Sequence, residues 1–295
     1  MLKPFVKWAG GKSQLLKNIK SVYPNELGKM IKRYCEPFIG GGAVLFDILE
    51  NYQIEDIYIS DMNMELVNTY RIIKEDVDSL ILLLETIQTE YLALSSEDKK
   101  IFYYKMRERF NNEKINGNKL INVEKAGLFI FLNKTCFNGL YRVNSKGIYN
   151  VPSGAYKNPM ICDKENLIRI SKALKNVQIH CTDYRQSLSF IDDKTFVYID
   201  PPYRPLNGTA NFTSYTENQF DDTAQVELAK FVAHLNKIGA MVVISNSDPK
   251  NTNPNDNFFD ELYKEFNIVR VSARRMINCN GESRGIVSEI LVTNY

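Results

Sequence analysis

The chain has 295 residues, 44% of them apolar and 24% charged, which suits a globular protein with a sizeable core: one large domain, or a domain carrying an insertion. A net charge of +2 excludes a strongly basic or acidic surface overall, so any nucleic-acid-binding face must be local. Five cysteines with no C-x-x-C pair and only two histidines argue against a disulfide framework or a metal centre and fit a reducing cytoplasm.

The N-terminus MLKPFVKWAGGK lacks the apolar core of a signal peptide, and no run of about 18 apolar residues follows. WAGGKSQLL (8–16) contains the Gly-Lys-Ser that ends a phosphate-binding loop. Val6 occupies the position where that loop needs its first glycine, and too few residues precede it for a feeding strand, which sets an ATPase aside. RYCEPFIGGG (33–42) reads as a strand running into a glycine turn, and AVLFDILE (43–50) as the helix after it. Gly40 to Gly42 let the backbone come close to a ligand, and the helix N-terminus at Ala43 favours an anionic group. The next strand, DIYISDMN (56–63), ends at Asp61, where a Rossmann-like site places an acid on ribose hydroxyls. Leu45 stands where G-x-G-x-x-G needs its third glycine, so a nucleoside with a small tail is favoured over a dinucleotide. A glycine turn with a strand-end acid acting as helix cap accounts for the same residues.

Residues 63–170 have a different texture. MELVNTYRIIKEDVDSLILLLETIQTEYLAL, DKKIFYYKMRERF and NVEKAGLFIFLNK have helical spacing, and LYRVNSKGIYNVP predicts two short strands about an Asn-Ser-Lys-Gly turn. The segment reads as a mostly helical insertion between 1–62 and 171–295. Strand–helix alternation then resumes with VQIHCTD (177–183), TFVYIDPPYRPLNG (195–208), FDDTAQVELAKFVAHLNK and AMVVISNS (240–247), predicting a doubly wound parallel α/β sheet. SDPKNTNPNDN reads as a mobile loop. NIVRVSARRMI and SEILVTNY, joined by NCNGESRG, predict a hairpin that makes one C-terminal strand antiparallel.

The stretch 195–208 carries the chemistry. Asp200 ends a buried strand, where open α/β sheets bind ligands. Pro201 and Pro202 add carbonyl acceptors and no backbone donors. The Asp200 carboxylate and the Pro201 carbonyl can grip an amino group, and Tyr203 offers a face for a flat ring. The set suits the exocyclic amine of a base.

Here the chain resembles the Dam-like adenine-specific DNA methyltransferases. The resemblance covers essentially the whole chain and rests on KWAGGK, FIGGG, SDMN, FNGLYRVNSKGIYNVPSGAYKNP, DPPY and TSYT, in that order. It implies a Rossmann-like class I S-adenosylmethionine-dependent methyltransferase sheet with an antiparallel C-terminal strand and an inserted target-recognition domain. It implies transfer of a methyl group to N6 of an adenine flipped out of duplex DNA, in GATC, with no metal. Trp8 and Lys12 would line the cofactor pocket, Phe38, Gly40 and Gly42 its methionine part, and Asp61 the ribose hydroxyls. Asp183 would sit near the adenine ring, although a helix cap explains it equally well. Asp200, Pro201 and Tyr203 would be catalytic, Asp200 also touching the cofactor's amino end. Trp8 as core packing and Lys12 as a solvated charge remain open.

On the DNA side the resemblance assigns Lys7 to the first guanine, and Leu140, Arg142, Pro152 and Tyr156 to later base pairs. Phe137 and Asn138 would fill or face the gap left by the flipped base. Phe137 stands where the family usually has Tyr, and Ser153 and Ala155 depart from its bulkier or basic residues, which bears on the outer bases. The hairpin carries Lys134, Arg142, Lys146 and Lys157 among Phe137, Tyr141, Tyr149 and Tyr156, a mixture suited to phosphates and bases, although exposed hairpins are often rich in Lys and Tyr without function; Arg270, Arg274, Arg275 and Arg284 are candidate phosphate contacts. The expected setting is the cytoplasm of a bacterium, archaeon or phage host, beside nucleoid DNA, with a restriction endonuclease acting on the same site as a conceivable partner. Oligomeric state is not legible. An RNA or protein-amide N-methyltransferase would share the cofactor half, and a DNA-binding module without catalysis would have no need of DPPY beside FIGGG.

Overall fold

A computed structural model describes residues 1–116, 121–204, 220–274 and 286–295. In chain order its elements are α1 (Leu16–Lys20), β1 (Arg33–Glu36), α2 (Ala43–Asn51), β2 (Asp56–Asp61), α3 (Met64–Glu75), α4 (Val77–Ala93), α5 (Ser96–Asn116) and α6 (Val123–Thr135). There follow α7 (Lys164–Ala173), β3 (Val177–Cys181), β4 (Thr195–Ile199), α8 (Asp222–Ile238), β5 (Met241–Ser247), α9 (Phe258–Leu262), β6 (Asn267–Arg274) and β7 (Ile286–Thr293). No helix among the described residues is long and apolar enough to cross a membrane.

The strands form one sheet in the order β3-β2-β1-β4-β5-β7-β6. β1 to β5 run parallel, and β7 pairs antiparallel with both β5 and β6, as the late hairpin signal predicted. Strand order reverses between β1 and β4, and a crevice at such a reversal is where this sheet type binds ligands.

The two faces of the sheet follow the period-2 alternation of the strands. Tyr34, Ile57, Ile59, Phe196, Tyr198, Val243 and Leu291 pack into the larger hydrophobic cluster, with side chains of α2, α3, α4, α6 and α7. Cys35, Tyr58, Val197, Ile199, Val242, Ile244, Ile290 and Val292 pack on the other face, against α8 and α9. Continuing the first phase toward the carboxyl ends of the parallel strands brings up Glu36, Asp61, Asp200 and Ser245, with Glu289 beside them on β7. One end of one face is therefore polar where its middle is apolar.

The helical stretch after β2 shares the larger cluster with the sheet, so the segment 63–170 is continuous with the core of that face. Asn63 caps α3 through Leu66 N (2.9 Å) and Asn122 caps α6 through Lys125 N (3.0 Å). The two strands expected in 140–152 reduce to one bridge, Val143 with Tyr149. Its ladder bonds are Asn144 N to Ile148 O and Asn150 N to Arg142 O, and it stops at Pro152, which has no N–H to give and whose carbonyl accepts from Phe137 N. α5 holds the opposite edge, Asn111 on the Tyr149 N–H (2.9 Å) and carbonyl (3.0 Å) and Tyr103 and Arg107 on the Val151 carbonyl. The loop expected at 247–257 contains a 3₁₀ turn at Pro249–Asn251. It is tied down by Asn251 on the Ser288 backbone and by Asp256 on Arg204.

Candidate active site

Lys12 lies at the centre of the polar end. Gly10, at φ +75, turns the N-terminal segment so that the Lys12 ammonium donates to the Gly10 carbonyl (2.8 Å). The same nitrogen lies 2.8 Å from Asp200 Oδ1 and 3.8 Å from Glu289 Oε2, and donates to the Tyr203 hydroxyl at 2.6 Å. Only 3% of Lys12 is exposed. Burial pulls its pKa down, but Asp200, Tyr198 and Glu289 offset that, and the net direction is up. Lys12 is therefore a buried, paired cation rather than a solvated charge.

Asp200 Oδ1 also accepts from Ser245 Oγ at 3.0 Å. A serine hydroxyl has one proton, so the 2.9 Å contact between Ser245 and Tyr198 has Tyr198 donating. Burial raises the Asp200 carboxyl above its ordinary value, and Lys12 and Ser245 restrain the rise. The following backbone is held as well. Pro201 is buried, Gln225 Nε2 donates to the Pro202 carbonyl (3.2 Å), and Arg204 grips Asp222 and Asp256 while lying over the Phe258 ring. Tyr203 donates to Glu289 Oε2 at 2.9 Å.

The glycine turn forms the second part. Gly40 and Gly42 have φ of +46 and +73. A Cβ on Gly40 would lie 2.7 Å from the Trp8 ring, and one on Gly42 would run into the Tyr70 hydroxyl, so both positions need glycine for conformation and for space. Asp61 accepts from Gly40 N (3.1 Å) on one oxygen and from Asn63 N (2.8 Å) on the other. A carboxylate has about four acceptor positions, so these bonds leave capacity for hydroxyl donors. Burial raises this carboxyl too, against bonds from Asn63, Gly40 and Met62. Phe38 stacks on Tyr184 at 5.3 Å. Asp183 caps the 3₁₀ turn Tyr184–Ser189 and pairs with Arg185, which lowers its pKa. That is the capping arrangement, made by a partner two residues away.

Trp8 joins this part to the next, stacking on Tyr141 at 5.7 Å beside the Gly40 turn. The Tyr141 hydroxyl donates to Glu65 (3.0 Å) and accepts from Lys114 (2.9 Å). Tyr141 and Tyr149 are buried, so they are core rather than the exposed aromatics the hairpin pattern suggested. Burial also lowers the pKa of Lys134.

Asn133 ties together two of the segments assigned to DNA. Its side chain accepts from Lys7 N (2.8 Å) and donates to the carbonyls of Lys7 (2.8 Å) and Gly139 (2.9 Å). The N-terminal segment and the 137–139 turn are thereby fixed to each other. Asn138 and Gly139 are both left-handed, at φ +57 and +65. Phe137 is 48% exposed with its N–H on the Pro152 carbonyl, and Lys7 Nζ lies over the Tyr156 ring. Leu140 is half-buried against the core. Arg142 is tied to Asn150 by Nε to Oδ1 at 2.8 Å. Arg270 is engaged by Asp248 and Asp260, so its guanidinium is committed within the protein. The Arg274 side chain, Arg275, Arg284 and TSYT lie outside the described residues.

Sequence reading missed Glu36, Ser245, Glu289 and Asn133. Glu36 is buried at the end of β1 and accepts from the Tyr34 hydroxyl at 2.6 Å. Burial holds its carboxyl well above the ordinary range. The available signal was phase: each of Glu36, Ser245 and Glu289 falls at a core-facing position of its strand. Among the described residues no cluster of His, Cys, Asp and Glu could hold a metal ion.

A family model described as D12 class N6 adenine-specific DNA methyltransferase matches residues 8–277. The chain is 50% identical over 297 residues to the Type II methyltransferase M.MjaIII of Methanocaldococcus jannaschii, covering 100% of this chain and 99% of the relative. It is 40% identical to the Type II methyltransferase M1.LlaDCHI of Lactococcus lactis subsp. cremoris, over 100% of this chain and 96% of the relative. It is 34% identical to the DNA adenine methylase of Haemophilus influenzae, over 98% of this chain and 92% of the relative.

Proposed function

This chain belongs to the D12 class N6 adenine-specific DNA methyltransferase family and is a DNA adenine methyltransferase; from that premise we propose that it acts on GATC, on an adenine turned out of the duplex, with S-adenosylmethionine as donor. The observation that carries the reading is the Asp200–Lys12–Tyr203 cluster at the strand-order reversal.

The lone pair of an adenine amino group is delocalised into the ring, which makes it a poor nucleophile. Asp200, with the Pro201 carbonyl, accepts from the amino protons and favours a pyramidal nitrogen with a localised pair. Lys12 and Ser245 hold Asp200 ionised and in place before the base arrives, so little reorganisation is left for the reaction. Tyr203 stacks on the base, offsetting part of the few kcal/mol that unstacking costs. S-adenosylmethionine supplies a methyl group carried on a sulfonium. Asp61 would take its ribose hydroxyls, Trp8, Phe38, Gly40 and Gly42 would enclose it, and Asp183 would serve its adenine ring. What supports this fit is the acceptor capacity of Asp61 beside the Gly40 turn.

Residues 63–170 serve as the target-recognition region. Phe137 and Asn138 fill the gap left by the base, Lys7 contacts the first guanine, and Leu140, Arg142, Pro152 and Tyr156 read the rest. The name Type II methyltransferase, borne by two relatives, supports a restriction–modification setting in which an endonuclease cuts the same site. The test is expression in a host without adenine methylation, followed by mapping of modified sites in its DNA, with duplex DNA, RNA and protein compared as substrates in vitro. Methylated adenine in GATC is expected. Modification at another sequence overturns the specificity, and transfer to RNA or protein in preference to duplex DNA overturns the substrate.

A further inference from the structure

Glu289 lies on β7 opposite Ser247 of β5 and Val271 of β6, in the otherwise largely apolar run Ile286–Thr293. Alternation places it in phase with Val287 and Leu291, which pack in the larger cluster. Its side chain is 14% exposed. A glutamate in that position is costly unless its charge and acceptors are matched. Two of the groups that match it belong to the site itself: the Tyr203 hydroxyl at 2.9 Å and the Lys12 ammonium at 3.8 Å, both on Oε2.

Tyr203 has one hydroxyl proton and gives it to Glu289, while its oxygen accepts from Lys12 at 2.6 Å. The ammonium also lies 4.7 Å from the centre of the Tyr203 ring. Two bonds of opposite sense at the para oxygen therefore restrict where the ring can swing. One of their anchors, β7, is a strand buried between two others. We propose that Glu289 is a positioning residue for methyl transfer: it fixes the plane of Tyr203 against which the target adenine stacks. The proposal rests on the assignment of Asp200 and Tyr203 to the target base.

Positioning of this kind acts on the reacting complex, so its loss should appear in kcat rather than in the KM for S-adenosylmethionine. Glu289→Ala should lower kcat about tenfold or more with the cofactor KM changed by less than about threefold. Glu289→Gln keeps an oxygen that accepts from Tyr203 and should recover most of the loss. Tyr203→Phe retains the ring and drops the hydroxyl, without touching β7, and should reproduce the Glu289→Ala loss in kcat. Because the bond from the Tyr203 hydroxyl to Glu289 is already absent in Tyr203→Phe, the double variant should be no slower than Tyr203→Phe alone.

The measurement is steady-state methylation of a duplex oligonucleotide by the full chain, with thermal unfolding followed on each variant. Multiplying losses in the double variant, a Glu289→Gln as slow as Glu289→Ala, or a Tyr203→Phe with unchanged kcat would each overturn the positioning role. Asp200→Ala, run in parallel, separates the two readings. If it retains turnover, the assignment of the site itself fails. If it is inactive while Glu289→Ala turns over normally, only the role of Glu289 fails.

Discussion

Replacing Lys12 by methionine should destabilise the protein mainly by uncovering two carboxylates, and the loss should depend on pH. Methionine keeps most of the apolar stem, so packing changes little, while Asp200 loses its partner at 2.8 Å and Glu289 its partner at 3.8 Å. Asp200 then retains Ser245, and Glu289 retains Tyr203. Breaking a buried ion pair by removing one member costs about 3–5 kcal/mol. The Asp200 side chain is 19% exposed and can recover some hydration, so the low end, about 3 kcal/mol, applies at neutral pH. The sign follows from Asp200. Its folded carboxyl already titrates above the ordinary value because of burial, with Lys12 pulling it back, and without Lys12 it rises further. The penalty of burying it ionised is therefore present above the folded value and vanishes below the unfolded one, near about 3.9. Lys12 itself is shifted upward, so its favourable contribution in the parent is intact across this range and is lost only as pH rises through its folded value. Urea unfolding of both proteins at pH 8 and pH 5 reads the difference. With a slope of about 3 kcal/mol per molar, the midpoint should fall by about 1 M at the higher pH, and by clearly less at the lower one. An equal fall at both would mean that the loss is packing rather than charge, and would refute the pairing argument.

Asp200→Ala should abolish methyl transfer, by about a hundredfold or more, with the fold retained. In the parent, the acid limb of kcat/KM should lie above the ordinary aspartate value, because burial raises Asp200 and the ionised form is required; a limb at about 3.9 or below would place the titrating group elsewhere. Trp8, the single tryptophan, should change its fluorescence saturably with S-adenosylmethionine in the absence of DNA, and silence at concentrations that calorimetry shows to bind would place it in the core alone. Arg142→Ala should lose more single-turnover rate on GATC than on sites altered at one position in the second half, since a two-acceptor guanine contact gives about 1–3 kcal/mol of discrimination. An equal fall on every substrate would make Arg142 a phosphate contact.

What the sequence revealed of this site depended on how far each residue's partner lies along the chain. Asp61 and Asp200 could be found because each ends a run of apolar residues, and a parallel strand buried on both faces gives such a run. Asp183 could be read as a cap because Arg185 is two residues away. Lys12 was ambiguous, since nothing near it in sequence distinguishes a solvated lysine from a buried one; Asp200, Tyr203 and Glu289 reach it only through the sheet. The shortened hairpin has the same origin, because the Pro152 carbonyl is taken by Phe137 N from a turn that local periodicity does not reveal. Glu289 was hidden for a different reason. In an isolated strand one face can meet water, and a glutamate there is ordinary. It becomes conspicuous only once β7 is known to lie between β5 and β6, with Leu291 on the same face fully buried. Strand order converts the alternation into a test: a charge in phase with the core must have a partner, and here Tyr203 and Lys12, from the site proposed to hold the reacting base, are among the partners.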